Sequence, residues 1–157
     1  MGHVRTLPGQ RAIYTTAAGE GQKHMISESD RTFRERVEAC DWNEPFTHEH
    51  HIRLAWIYLQ EFELTQATGR CRAALRGLAE SHGDFDKYHD TLTVAFMQLI
   101  ARHRAAAAPG ESWPQFRLRA RPLFESGRRL IGRHYSDERL AHPDARHGFV
   151  PPDREPF

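Results

Sequence analysis

The 157-residue chain sets 22 lysines and arginines against 21 acidic residues, a net charge of +1 that excludes an overall field for nucleic acid or an anionic membrane. Its 39% hydrophobic content suits one modest core, with no run near the ~18 apolar residues of a membrane span. Cys40 and Cys71 form neither a disulfide framework nor a CxxC metal motif, and no apolar N-terminal run marks a signal peptide, so the chain reads as cytoplasmic with both thiols as small buried hydrophobes.

In chain order, residues 1–28 lack periodicity and contain Gly19-Glu20-Gly21-Gln22, which predicts a disordered leader. Ser29 caps a helix to about Cys40, with Phe33, Val37 and Cys40 on one side. Pro45 breaks the pattern through the residue before it. The principal helix follows from Thr47, a good N-cap, to about Phe62, with Glu49 in the first turn where a negative charge suits the helix dipole. Thr65 caps the next helix, which ends at Gly83, a favourable residue just past a helix end. Asp84 or Asp86 caps a long helix from about Lys87 to Ala108. Ser112-Trp113-Pro114 opens a short arginine-rich helix that Pro122 interrupts, and a further helix covers Leu123 to about Tyr135. Residues 137–157 are rich in proline and read as an extended tail packing on the domain. The expectation is an all-α fold, a small up-and-down helical bundle of four to six helices over residues 29–136.

Eleven histidines is a high count, and three of them open the most apolar helix. At about 100° per residue His48 and His51 share the face of Ala55, Tyr58 and Leu59, whereas His50 points elsewhere. In an up-and-down bundle the helices beginning near Thr47 and Lys87 run parallel, so His48, His51 and His89 meet at one end. His82 comes to that end too, and His134 joins only if the last helix runs back. Three imidazoles suit Zn²⁺ or Fe²⁺, or Cu²⁺, as a divalent transition metal at ~2.0–2.2 Å, and an open position would activate water or take substrate or dioxygen. Glu49 and Asp90, with Asp86, are the carboxylates placed to orient the ligands or act as general base. Tyr88 and Tyr58 are hydroxyls that donate to substrate or fill the core. The metalloprotease pattern HExxH is excluded, because after His48-Glu49 the second histidine is due where Ile52 stands.

The segments Phe46–Leu59 (FTHEHHIRLAWIYL), Lys87–Thr93 (KYHDTLT) and Arg133–Leu140 (RHYSDERL), with an Ala145-Arg146…Pro151-Pro152-Asp153 tail, resemble a family of small bacterial all-helical proteins sharing the patterns FxHxxHxxLAWxYL and KYHxTxT. The resemblance covers residues 45–153. It implies that His48, His51, Tyr88 and His89 match polar positions of the pattern and brings no activity with it.

The leading reading is therefore a small metalloenzyme acting on a small-molecule substrate, with hydrolytic and oxidative chemistry both open. The same histidines also suit metal-free acid–base work or plain structural pairing. The alternative is a metal-free helical binding or scaffold protein that takes an acidic partner on Arg117, Arg119, Arg121, Arg128, Arg129 and Arg133. Interleaved acidic residues argue against nucleic acid there. Trp42, Trp56 and Trp113 serve burial or a homodimer face.

Overall fold

Apolar residues at helical spacing form the centre of the molecule. The computed structural model describes residues 26–157, which hold nine α-helices, one 3₁₀ turn and no strand. The chain is all-α, as its periodicity predicts, with more and shorter helices than the expected four to six. They are α1 (Glu28–Glu38), α2 (His48–Glu61), α3 (Leu64–Ser81), α4 (Asp90–Ala105), α5 (Trp113–Arg119), α6 (Arg121–Glu125), α7 (Gly127–His134), α8 (Asp137–Ala141) and α9 (Pro143–His147). Among the described residues no helix is long and apolar enough to cross a membrane. Of the expected leader only residues 26–28 fall within the described part. There Ile26 is buried and Ser27, in place of Ser29, caps α1, its Oγ accepting from the Asp30 amide at 3.1 Å.

α2 is the hub. Leu54 to Gln60 are all buried, so this helix is covered on several sides, by α1, α3, α4 and α6. Thr47 caps it as expected, and His50 completes a capping box by accepting the Thr47 amide on Nδ1 at 3.1 Å. That role explains why His50 leaves the histidine face; its ring lies among Phe33, Trp42 and Phe46. Phe62 and Glu63 alone separate α2 from α3, and so short a link folds α3 back along α2. α3 ends before Gly83, whose φ of +70° is the left-handed conformation that glycine adopts without strain. Tyr58 donates to Glu38 at 2.8 Å and Arg34 pairs with Glu61, tying α1 to α2. Tyr58 is thus a core residue with its hydroxyl satisfied, and burial with the neighbouring carboxylate pushes its pKa up.

Further boundaries differ from the sequence expectation. α3 begins at Leu64, one residue before Thr65. α4 begins at Asp90 with His89 as its N-cap, after a 3₁₀ turn over Phe85–Lys87 that takes up the residues expected to start the helix. The helix expected over Leu123–Tyr135 is broken at Ser126 into α6 and α7.

The C-terminal segment is helical where an extended tail is expected. Ser136 caps α8, and α9 starts at Pro143, where a fixed φ suits the first turn, with His142 Nδ1 accepting from the Asp144 amide. Only after Gly148 does the chain run extended. It then forms a strap: the Arg154 and Glu155 amides donate to the carbonyls of His134 and Arg133, and Tyr135 donates to the Val150 carbonyl at 2.9 Å. His134 donates from Nδ1 to the Glu155 carbonyl at 2.7 Å and stacks on Phe157 at 4.1 Å. This histidine anchors the strap.

Candidate functional site, a histidine-rimmed cavity

The first turns of α2 and α4 and the last turns of α3 enclose a cavity of about 810 Å³. Its apolar wall comes from Ile52 and Ala55 of α2, Cys71, Leu75 and Leu78 of α3, and Leu92 and Phe96 of α4. His48, His51, His82 and His89 all border it, with Tyr88, Lys87, Asp84 and Glu44. The three sequence-predicted imidazoles and His82 therefore share one cavity; His134 does not border it.

Their hydrogen bonds differentiate the four. His51 donates from Nδ1 to the Thr47 carbonyl at 2.8 Å, and His48 from Nε2 to the Leu123 carbonyl at 2.9 Å. A carbonyl can only accept, so each of these nitrogens carries the proton, and in the neutral ring His51 Nε2 and His48 Nδ1 are lone-pair acceptors. Neither has a protein partner among the described residues. His51 keeps an open face while protein crowds the rest of its ring; this burial lowers its pKa, as do His48 and His50, and the bond to Thr47 opposes them. Phe46 meets the His51 ring edge to face at 4.8 Å, and Phe96 meets His48 at 5.3 Å. Both imidazoles are held from two sides.

His89 is different. Its Nε2 donates to the Leu140 carbonyl at 3.0 Å and its Nδ1 accepts the Leu92 amide at 3.3 Å. Both ring nitrogens are committed to backbone, so in this arrangement it has no lone pair for a metal. Among the described residues, no group of three or more His, Cys, Asp and Glu is placed to hold a metal ion. His48, His51 and His82 each keep a ring nitrogen without a protein partner among the described residues, but the three are not grouped around one point as the ligands of a catalytic zinc centre are.

The carboxylates expected to assist lie elsewhere. Glu49 pairs with Arg117 of α5 at 3.0 Å, outside the cavity wall. Asp90 is fully buried and accepts from Arg72 at 2.9 and 2.7 Å, from Arg76 at 3.3 Å and from Tyr88 at 2.7 Å. It joins α3 to α4 beneath the cavity's edge. Tyr88 does border the cavity, but its proton goes to Asp90, and burial together with that bond pushes its pKa up to about 12. Cys71, in the apolar wall, is pushed up to about 12 by burial and is no nucleophile at neutral pH.

Five of the six clustered arginines face carboxylates: Arg117 with Glu49, Arg119 with Glu111, Arg121 with Glu125, Arg128 with Asp137 and Arg133 with Glu155. These pairs neutralise the patch expected to draw an acidic partner. Trp42 and Trp56 are buried within the chain, Trp56 against Trp113 and Phe116, so neither offers a face to a second copy.

Sequence reasoning missed the Leu123 carbonyl as the partner of His48, and with it Gly127. A side chain there would meet His48 Nε2 at 3.0 Å and Phe96 at 3.2 Å. Gly127 just past Ser126 was the available signal, since glycine inside a helical pattern often marks close approach. No protein-family model, curated protein or solved structure matches this chain.

Proposed function

We propose that this chain binds a small molecule in the cavity at one end of an up-and-down helical bundle, and that His51 supplies acid–base chemistry to it. One observation carries the reading. His51 borders an apolar cavity of about 810 Å³ with its Nδ1 proton fixed on the Thr47 carbonyl, leaving Nε2 as an oriented lone pair. A cavity of that size falls in the range of about 300–1,000 Å³ that small ligands occupy. An imidazole held by one nitrogen, with the other kept unprotonated by the burial that lowers its pKa, has the form of a general base. A fragment screen by ¹H–¹⁵N NMR tests the reading. Hits should move amides of His51, Leu75 and Leu92 together, and a screen whose hits leave all three unmoved contradicts it.

A divalent metal, zinc, iron or copper, at the same end is the second reading. The supporting observation is that His48 and His51 each donate to a backbone carbonyl, which is how metal-ligating imidazoles are oriented. It requires a third donor, for which His82, on the same wall and without a side-chain partner among the described residues, would have to close on that pair. Metal content of protein purified without added metal decides it: equal content in the wild type, His48→Ala and His51→Ala rules the centre out.

A further inference from the structure

We infer that the molecule taken by this cavity is uncharged, with an apolar body and a hydroxyl head that donates a hydrogen bond to His51 Nε2. The inference rests on the cavity being a ligand site and goes on to name the ligand's chemistry.

The groups that line the cavity discriminate among head groups. The wall's own hydroxyls are turned to protein, Tyr88 donating to Asp90 at 2.7 Å and Thr93 to the His89 carbonyl at 3.0 Å. The imidazoles of His48 and His51 have their protons on Leu123 and Thr47, so what they present is lone pairs. Asn43, His48, His51 and His82 are all exposed, so the head group sits at the cavity's rim. A carboxylate head would set its negative oxygens against those lone pairs and against Glu44. It would draw little from Lys87, whose ammonium is paired with Asp84 at 2.7 Å. Either charged head meets opposing groups here, since the N-termini of α2 and α4 present positive dipole ends while Glu44 presents a negative charge, and either would have to leave water for an apolar wall. A neutral O–H donor meets neither cost and matches the acceptor.

The rest of the molecule is set by what adjoins that acceptor. Phe46 packs against the His51 ring and Phe96 against that of His48, and below them the wall is aliphatic. A phenol or long-chain alcohol, with its hydroxyl joined directly to an apolar group, presents the matching surface.

Four probes with one body separate the possibilities: 4-propylphenol, its methyl ether, 4-propylbenzoate and 4-propylbenzylamine, titrated against the full chain by chemical-shift perturbation. The phenol should bind about tenfold more tightly than the ether, the effect of one neutral hydrogen bond in an apolar site. In His51→Phe that ratio should fall to about one, while His51→Gln, which keeps an acceptor, should retain part of it. Equal affinity of phenol and ether for the wild type, or tighter binding of the carboxylate or the amine, overturns the hydroxyl head while leaving the cavity a ligand site. Binding of none of the four at millimolar concentration sinks both the head group and the site reading beneath it.

Discussion

His48 Nε2 donates to the carbonyl of Leu123 at 2.9 Å, across 75 residues of sequence, at the point where one expected helix becomes α6 and α7. In an unbroken helix that carbonyl would accept from the amide of Gly127. The imidazole takes the amide's place, and Gly127 has no side chain to hinder it. His48→Ala should cost about 1–2 kcal/mol by leaving the carbonyl of buried Leu123 without its partner. Gly127→Ala should cost about 1–3 kcal/mol by crowding His48 and Phe96, and clearly less in the His48→Ala background. Urea unfolding of the four proteins measures the coupling, and strictly additive costs would show that ring and glycine do not meet.

Asp90 carries stability here. Its carboxylate is fully buried and its partners Arg72 and Arg76 are partly exposed, so solvent softens what each gives and takes. Asp90→Asn should still cost about 2–3 kcal/mol, because it leaves two guanidinium groups facing a neutral amide. Tyr88→Phe should cost about 1 kcal/mol through the lost bond to Asp90. A chain with Asp90→Asn that unfolds at the wild-type urea concentration would remove Asp90 from this structural role.

The strap is fastened at Thr91. This fully buried residue donates from Oγ1 to the Gly148 carbonyl at 3.0 Å and accepts the Val150 amide at 3.1 Å. Thr91→Val keeps the shape and strands both backbone groups, at a cost of about 1–3 kcal/mol. Hydrogen exchange at the Val150 amide should accelerate well beyond that of the α2 amides. Unchanged protection of Val150 would mean the strap is held by other contacts.

Stability should fall on mild acidification. Burial, the largest influence, and the charge of Arg146 lower the pKa of His89, while the bond to Leu140 and the charge of Asp90 raise it; the net shift is downward. His51 and His103 are shifted the same way, chiefly by burial. The unfolded chain therefore binds protons that the folded chain refuses. The stabilisation is complete above the unfolded value of about 6.5 and is lost as the pH drops below it. The urea midpoint should decline between pH 7.5 and 5.5. His89→Asn, which keeps an N-cap acceptor but does not titrate, should decline less. Parallel curves for the two proteins would take His89 out of the effect.

The sequence carried much of this arrangement. Thr47 as cap, the short link at Phe62–Glu63 and Gly83 past the end of α3 together place His48, His51, His82 and His89 at one end. What it did not carry is which ring nitrogens stay available. Asp84 and Asp86 are stronger capping residues than histidine, so nothing local announces that His89 caps α4 with one nitrogen and holds Leu140 with the other. Asp90 meets Arg72 and Arg76 only through the packing of α3 on α4, and a partner on another helix leaves no mark at the carboxylate's own position. The helical turn at Pro143–His147 was hidden because proline reads as a breaker unless its place in the first turn is known.

The chemistry of this cavity turns on where two protons sit. Long-range ¹H–¹⁵N correlation spectra of the imidazole rings at pH 7.5 read this directly. They should show His51 protonated on Nδ1, His48 protonated on Nε2, and His51 Nε2 resonating as an unprotonated nitrogen that shifts when 4-propylphenol is added. A His51 proton on Nε2, or rapid exchange between both tautomers, would contradict it.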